Sequence, residues 1–176
     1  MVIFVNHQMP ENNNSFNHIK IHTQYSICEG ALKIEDLKNF CKENKILSVG
    51  LSDTSNLCGA LEFSKNISKA GTQPIIGTQI NFRFKDTTGL LPLFAMNEKG
   101  YKRIIELSSN SYLDNDGLSD PYCNLSDLNI KNEGIIILSG TINGLIGNLF
   151  NKGKYDEIDE IYLKLSSNFK DRFYIE

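Results

Sequence analysis

The alternation of short apolar runs with amphipathic segments of helical length most constrains the fold of this 176-residue chain. Runs with strand character occur at 16–21, 46–51, 73–84, 90–95, 133–140 and 172–176. Segments whose apolar residues recur at helical spacing lie at 33–44, 56–71, 97–113, 143–153 and 155–169. Strands separated by helices of this length form βαβ units, so the sequence predicts an α/β fold with a mainly parallel sheet.

Glycine-rich and polar stretches separate these segments. Gly71 is predicted to end the helix at 56–71, because glycine commonly follows the last helical residue. The longest turn-rich stretch spans 113–124, and the polar residues 1–15 are predicted to be a loose lead-in to a domain at 16–176. Because the chain ends on a strand-like segment, we expect a fold cut before its last strands, with an open edge and poor solubility in isolation.

Composition and charge restrict the classes of function. A net charge of −3 and a pI near 5.7 exclude a broadly basic surface for nucleic acid. The first residues lack the basic region and the length of a signal peptide, and no stretch approaches the roughly 18 apolar residues of a membrane span. The cysteines show no CxxC pair, which predicts reduced, mainly buried thiols in a cytoplasmic protein. They are Cys28, Cys41, Cys58 and Cys123.

The segment HIKIHTQYS, at 18–26, carries the first candidate chemistry. Side chains alternate between the faces of a strand, so His18, Lys20 and His22 are predicted to share one face. A row of imidazoles favours a metal site, whereas an ammonium group within the row opposes it. Taken alone, the residues also fit an ordinary hydrogen-bonded histidine pair and a solvated lysine.

Further polar residues lie at or just past predicted strand ends, where the active sites of α/β sheets and barrels assemble. They are Glu29, the pair Asp53 and Thr54 in GLSDTSNLCG, and Gln79 in PIIGTQI. Each has an ordinary explanation as well, and Asp53 could cap the helix that follows it. Ser26 has no obvious base beside it, so a serine nucleophile is not predicted.

Together these motifs resemble the PHP (polymerase and histidinol phosphatase) domain of bacterial DNA polymerase III alpha subunits. That family opens with roughly F-x-H-L-H-x-H-T-x-Y-S-x-x-D-G, and this chain has FNHIKIHTQYSICEG. The family continues with A-x-T-D-x-x-N-x-x-G-x-x-x-F and A-G-x-x-P-I-x-G-x-E, and this chain has VGLSDTSNLCGALEF and AGTQPIIGTQ. The resemblance covers residues 16–176. It implies the amino-terminal two thirds of a distorted (β/α) barrel of about seven strands, incomplete at its carboxyl end.

The resemblance also assigns the site positions. In active PHP domains the second and third histidines of the opening motif bind metal, and here those positions are Lys20 and His22. A further family histidine corresponds to Thr54 and a glutamate to Gln79, while Glu29 stands where the family has aspartate. A site for two or three metal ions needs neutral imidazoles and several carboxylates, and a fixed ammonium group repels the cations.

We therefore expect a vestigial metal site with no catalytic residue and no cofactor in this segment. His22 and Asp53 are the weak remaining ligand candidates, and Lys20 is predicted to pair with Asp53 or Glu29 in place of the lost cation. The vestigial positions are His18, Lys20, His22, Glu29, Asp53, Thr54 and Gln79.

The resemblance implies the amino-terminal region of a replicative DNA-directed DNA polymerase, whose Mg²⁺ ions are held by carboxylates downstream of this segment. This region would then be a structural or docking domain. Implied partners are the polymerase body, a proofreading exonuclease subunit, the sliding clamp and its loader, and DNA through downstream domains. Two alternatives remain open: a metal-dependent phosphoesterase or 3′–5′ exonuclease active in the PHP site, and a free-standing PHP protein related to histidinol phosphatase.

Overall fold

The computed structural model describes residues 16–114, 117 and 119–176. The chain divides into two compact units, one ending at Thr78 and the other beginning at Gln79. The predicted lead-in at 1–15 lies outside the described residues. Within the described part of the chain, no helix is both long enough and apolar enough to cross a membrane.

The first unit alternates strands and helices as the sequence predicts. Its elements are β1 (His18–Ile21), α1 (Ile34–Glu43), β2 (Ser48–Thr54), α2 (Ala60–Lys69) and the first half of β3 (Gln73–Phe84). β2 lies between β1 and β3, and β1 runs parallel to β2. The helices α1 and α2 each bury one apolar face, and six of the seven residues of β2 are buried. This burial explains why β2 reads as a short apolar run in the sequence.

Two glycines of this unit have clear structural reasons. Gly71 has φ of +80° and follows the end of α2, which confirms its predicted role as a helix terminator. Gly50 allows β1 to lie close to β2, since a Cβ atom there would stand 2.3 Å from the Ile19 carbonyl oxygen. A side chain at residue 50 is therefore incompatible with the present spacing of the two strands.

The second unit contains the rest of β3 and all later elements. These are β4 (Thr87–Ala95), α3 (Glu98–Leu113), β5 (Tyr122–Asn124), β6 (Ile135–Leu138), α4 (Leu145–Asn151), α5 (Tyr155–Phe169) and β7 (Phe173–Tyr174), with short 3₁₀ helices at Leu125–Asn129 and Lys170–Arg172. The strand order is β3-β4-β6-β7, with β5 paired to β3. The buried side chains of α5 are Ile161, Leu165 and Phe169, so its apolar spacing serves the core as predicted.

Two features of this unit depart from the sequence prediction. Only Lys85 and Asp86 separate β3 from β4, so the chain reverses direction there, and β4 pairs with β6 in the antiparallel sense. The described pairs β1–β2, β3–β5 and β6–β7 are parallel, as predicted, and β4–β6 is an antiparallel exception. The turn-rich stretch 113–124 also ends in the short strand β5, which runs parallel to β3. Three residues are too few to show strand periodicity.

The prediction of buried cysteine thiols is confirmed for two of the four cysteines. All four are free thiols; Cys41 and Cys123 are buried, whereas Cys28 and Cys58 are exposed. Burial raises the pKa of Cys123 to about 12, which keeps its thiol protonated at neutral pH. Cys28 has φ of +66° in a tight turn, and the sequence gives no warning of this conformation.

Candidate functional site

A β-bulge in β1 separates two of the histidines that the sequence places together. His18 pairs with Val49 and Ile21 with Leu51, so three steps along β1 match two along β2. One extra residue of this kind turns the following side chains to the opposite face. The prediction that His18 and His22 share a face was therefore wrong, because strict alternation fails at the bulge.

The surroundings of the two histidines confirm the separation. The His18 ring packs edge-on against Phe16 at 4.8 Å between centroids, and it lines an apolar groove beside α1 together with Ile21 and Phe40. His22 instead faces Ser26 and Glu29, with Nδ1 at 3.4 Å and 3.7 Å from their side-chain oxygens. His18 thus contributes nothing to the cluster around His22.

Asp53, at the carboxyl end of β2, is the centre of that cluster and is 0% exposed. Its Oδ1 accepts hydrogen bonds from the Thr23 backbone N–H at 2.6 Å and from the Ser26 hydroxyl at 2.8 Å. Its Oδ2 accepts a third from the Thr23 hydroxyl at 2.8 Å. A buried carboxylate is tolerated when several oriented donors satisfy it. Asp53 therefore ties the loop after β1 to β2 and does not cap α2, whose N-cap residue is Gly59.

Ser26 links Asp53 to His22, contrary to the expectation that no base lies beside this serine. Its hydroxyl donates to Asp53, so its oxygen is left as an acceptor for the Thr54 backbone N–H at 3.1 Å. Because the Ser26 hydrogen is already used on Asp53, the contact between Ser26 and His22 needs a hydrogen on His22 Nδ1, and we assign that tautomer from these partners. The order carboxylate–serine–histidine differs from a catalytic triad, in which the histidine lies between the other two. The buried Ser26 is thus a structural link and not an activated nucleophile.

Glu29 and Thr54 form the exposed side of the cluster. The Thr54 hydroxyl donates to Glu29 Oε2, the same oxygen that lies 3.7 Å from His22 Nδ1. The side chain of Glu29 is 45% exposed and that of His22 is 27% exposed. The structure therefore joins four of the predicted positions, namely His22, Glu29, Asp53 and Thr54.

Two motif residues that the sequence analysis did not assign to the site, Tyr25 and Asn56, support this cluster. The Asn56 side-chain amide donates to the Tyr25 and Thr54 carbonyl oxygens, both at 2.9 Å, and so closes the turn after β2. The Tyr25 hydroxyl donates to Glu62 at 2.7 Å, and this hydrogen bond raises the pKa of Tyr25. No spacing rule joins residues 25 and 62 in advance, so only the folded structure reveals their contact.

Two further predicted positions are Gln79 and Lys20. Gln79 is the first residue of the second unit and is 6% exposed. Lys20 lies within β1 and is partly buried. Asp53 accepts hydrogen bonds from Thr23 and Ser26, and Glu29 accepts one from Thr54. The ion pair expected for Lys20 stays a prediction.

The donor set does not fit a centre of two or three metal ions. Among residues 16–114, 117 and 119–176, no three His, Cys, Asp or Glu side chains are grouped so that they could hold a metal ion. The Asp53 oxygens already accept three hydrogen bonds from uncharged donors. Threonine at residue 54 adds a neutral hydroxyl, which is a weak ligand for such ions. We therefore derive no reaction step through a metal at this position.

Comparison with known families identifies one domain over most of the chain. Residues 18–176 match the PHP domain. The chain belongs to the PHP domain family. The predicted α/β fold of PHP type is thereby confirmed, and the cluster around Asp53 lies in the segment that opens this domain.

Two of the relatives are both named DNA polymerase III subunit alpha. DNA polymerase III subunit alpha of Caulobacter vibrioides is 37% identical over 170 residues, which cover 92% of this chain and 15% of the relative. The protein of that name from Pasteurella multocida is 35% identical over 164 residues, covering 91% of this chain and 14% of the relative. This chain thus spans about 15% of the length of the relatives that it matches.

Among solved structures, an amidohydrolase from Chromobacterium violaceum aligns with a TM-score of 0.42 and 12% identity, over 53% of this chain and 34% of its own. A similarity this distant carries no argument about function.

Proposed function

We propose that this chain is the amino-terminal PHP region of a replicative DNA polymerase of the DNA polymerase III alpha type. The supporting observation is the 37% identity to such a subunit across 92% of this chain. The whole protein would join deoxynucleotides to a primer end with Mg²⁺ held by carboxylates outside this segment. Replication of the chromosome would place it in the cytoplasm.

Within that protein, the PHP region would act as a scaffold and not as a second active site. This proposal rests on the Asp53 cluster, in which hydroxyl and amide groups occupy the carboxylate that a metal site would need. The region would pack against the polymerase body and dock a separate proofreading exonuclease subunit. The sliding clamp, the clamp loader and DNA would bind through other parts of the chain.

The first experiment is primer extension by the purified full-length protein, wild type and His22→Ala. Polymerisation in Mg²⁺ with equal rates for the two proteins is the expected result, because His22 would support neither metal nor substrate. Absence of template-directed synthesis would contradict the polymerase assignment. A large loss caused by His22→Ala alone would contradict the scaffold role.

The alternative, a metal-dependent phosphoesterase or exonuclease active in the PHP site, is tested on the same protein. We expect zinc and manganese contents near zero by elemental analysis, and no release of nucleotides from 3′-labelled single-stranded DNA. Stoichiometric metal together with nuclease activity that His22→Ala abolishes would establish the alternative.

Docking of a proofreading subunit is tested by size-exclusion chromatography of the full-length protein mixed with the organism's own exonuclease subunit. Co-elution that is lost when residues 1–176 are removed is the expected result. Co-elution that survives this deletion would move the docking site outside this segment.

Substitution of Lys20 tests its proposed place in the site. If its ammonium group pairs with Asp53 or Glu29, Lys20→Met leaves a carboxylate without its partner and lowers the thermal stability of the PHP region. A Lys20→Met protein as stable as the wild type would contradict the ion pair.

A further inference from the structure

A pocket in the second unit, here called the cationic pocket, lies where β3, the 3₁₀ helix Leu125–Asn129 and α5 meet. Its volume is about 250 Å³. Drug-sized ligands occupy pockets of roughly 300–1,000 Å³, so this one suits a smaller group. Its polar lining comes from Arg83, Lys85, Asn124, Ser126, Asn129 and Lys164, and its apolar lining comes from Phe84, Leu125 and Leu165.

The two lysines of the cationic pocket are held in place by one carboxylate. Lys85 Nζ donates to Glu160 Oε2 at 2.9 Å, and Lys164 Nζ donates to Glu160 Oε1 at 2.7 Å. Both ammonium groups also lie over the buried Phe84 ring, at 4.9 Å and 5.0 Å from its centroid. The shared carboxylate and the shared ring fix the two cations side by side, which reduces the entropy lost when a ligand binds them.

Arg83 supplies the third cation. Its guanidinium group stacks on the Tyr122 ring at 3.7 Å from the centroid, which fixes the plane of the group while leaving its N–H edge for other contacts. Among the residues that the structure describes, no carboxylate forms an ion pair with Arg83. Its charge is therefore not neutralised by a neighbouring side chain.

The charge of the cationic pocket is positive. Three cationic side chains line it and no carboxylate does. Glu160 and Asp127 stand next to it and already accept hydrogen bonds, Glu160 from the two lysines and Asp127 from the Asn124 backbone N–H at 2.9 Å. Glu157 also acts on Lys85 through its charge, but it does not line the pocket. Converging cations with neighbouring hydroxyl and amide donors are the groups that bind phosphate oxygens.

We propose that the cationic pocket binds a phosphate group, carried either by a free nucleotide or by the backbone of single-stranded DNA. Arg83 would meet two phosphate oxygens with its planar fork, while Lys85 and Lys164 would supply further positive charge. Ser126 and Asn124 would add neutral hydrogen bonds. The pocket lies wholly within the second unit and uses none of the residues around Asp53.

Lysine footprinting on the full-length protein tests the proposal at the site itself. The protein is acetylated with acetic anhydride in sodium chloride or in sodium phosphate of equal ionic strength, and each lysine is quantified by mass spectrometry. Saturating phosphate is expected to lower labelling of Lys85 and Lys164 at least threefold. Lys38, which also pairs with a carboxylate but lies in the first unit, is the matched control and keeps its labelling.

A variant measures how much one cation contributes. In Lys164→Gln, the phosphate concentration that half-protects Lys85 is expected to rise about fivefold, as loss of one charge near an oxyanion predicts. Lys38→Gln is expected to leave that concentration unchanged. Because Lys164 is 48% exposed, its substitution should not unfold the unit.

The same footprint distinguishes the two sources of phosphate. Protection by dAMP at concentrations as low as the octanucleotide requires supports a free nucleotide as ligand. Protection by a single-stranded octanucleotide at a much lower concentration than inorganic phosphate or dAMP supports the DNA backbone. If none of these probes protects Lys85 and Lys164, or if they protect Lys38 equally, the proposal is overturned.

Discussion

Asp53 in the first unit and Glu160 in the second are both carboxylates that accept several hydrogen bonds, yet they do so in opposite surroundings. Asp53 is 0% exposed and its donors are uncharged, namely one backbone N–H and two hydroxyls. The Glu160 side chain is 40% exposed and its donors are two ammonium groups. A buried carboxylate depends entirely on its donors, whereas water can replace the donors of an exposed one. The hydrogen bonds of the two carboxylates therefore contribute unequally to stability.

Removal of the Asp53 carboxylate is expected to have the largest effect. In Asp53→Ala the Thr23 amide and two buried hydroxyls lose their acceptor. Because each buried donor left unsatisfied costs about 1–3 kcal/mol, the free energy of local unfolding should fall by roughly 3–5 kcal/mol. Hydrogen exchange of the β2 amides in the full-length protein measures this change. Asp53→Asn, which keeps an acceptor oxygen, should lose less. A change below about 1 kcal/mol for Asp53→Ala would remove the contrast with Glu160.

A smaller loss is expected when the spacing of β1 and β2 is disturbed without touching the cluster. The new Cβ atom in Gly50→Ala would stand 2.3 Å from the Ile19 carbonyl oxygen, so the strands must move apart. Overpacking of this kind costs roughly 1–3 kcal/mol. Faster exchange of the β1 amides would show it, and unchanged exchange would mean that the strands can shift at little cost.

Substitution of Ser26, which links Asp53 to His22, tests the comparison between buried and exposed hydrogen bonds. Ser26→Ala removes one donor to the buried carboxylate and the acceptor of the Thr54 amide, and should cost roughly 1–3 kcal/mol. Ser166→Ala, at an exposed hydroxyl on α5, is the control and should stay within about 0.5 kcal/mol. Equal effects at the two serines would show that burial does not decide the outcome.

Glu160→Gln is expected to cause the smallest change, with no measurable loss of stability. Hydrogen bonds from Lys164 and Lys85 lower the pKa of Glu160. A lowered carboxyl pKa means that any stabilisation is present above the unfolded-state pKa and is lost as pH falls through the folded-state pKa. Any loss in Glu160→Gln would therefore show at about pH 6 to 8 and vanish as pH falls through the folded-state pKa. Because the Glu160 side chain is 40% exposed, solvent screening should make this difference in thermal stability too small to measure. A loss as large as that of Ser26→Ala would contradict the screening argument.

Much of the fold follows from local pattern. The bounds 73–84 of β3 and 155–169 of α5 coincide with those read from the sequence, because a long apolar strand and a strongly periodic helix carry their own signal. The short strand β5 was missed, since three residues carry little periodicity, and the two-residue turn at Lys85 and Asp86 has no glycine to mark it.

The candidate site was predicted less well. The sequence motifs brought His22, Glu29, Asp53 and Thr54 to attention, and the structure joins these four. The bulge in β1 removed His18 from the group, because one extra residue reverses the alternation on which the prediction depended. The role of Ser26 was also missed, since nothing local indicates that a hydroxyl at residue 26 will meet a carboxylate 27 residues later.

The sequence by itself determined the α/β class, most element bounds and the PHP family, because hydrophobic periodicity and the order of motifs are features of the amino-acid sequence alone. Only the tertiary structure decided which side chains meet. It turned His18 away from His22, enclosed Asp53 among three neutral donors, and brought Arg83, Lys85 and Lys164 around one pocket. Such contacts join residues far apart in sequence, and they depend on strand register and burial, which no local pattern encodes.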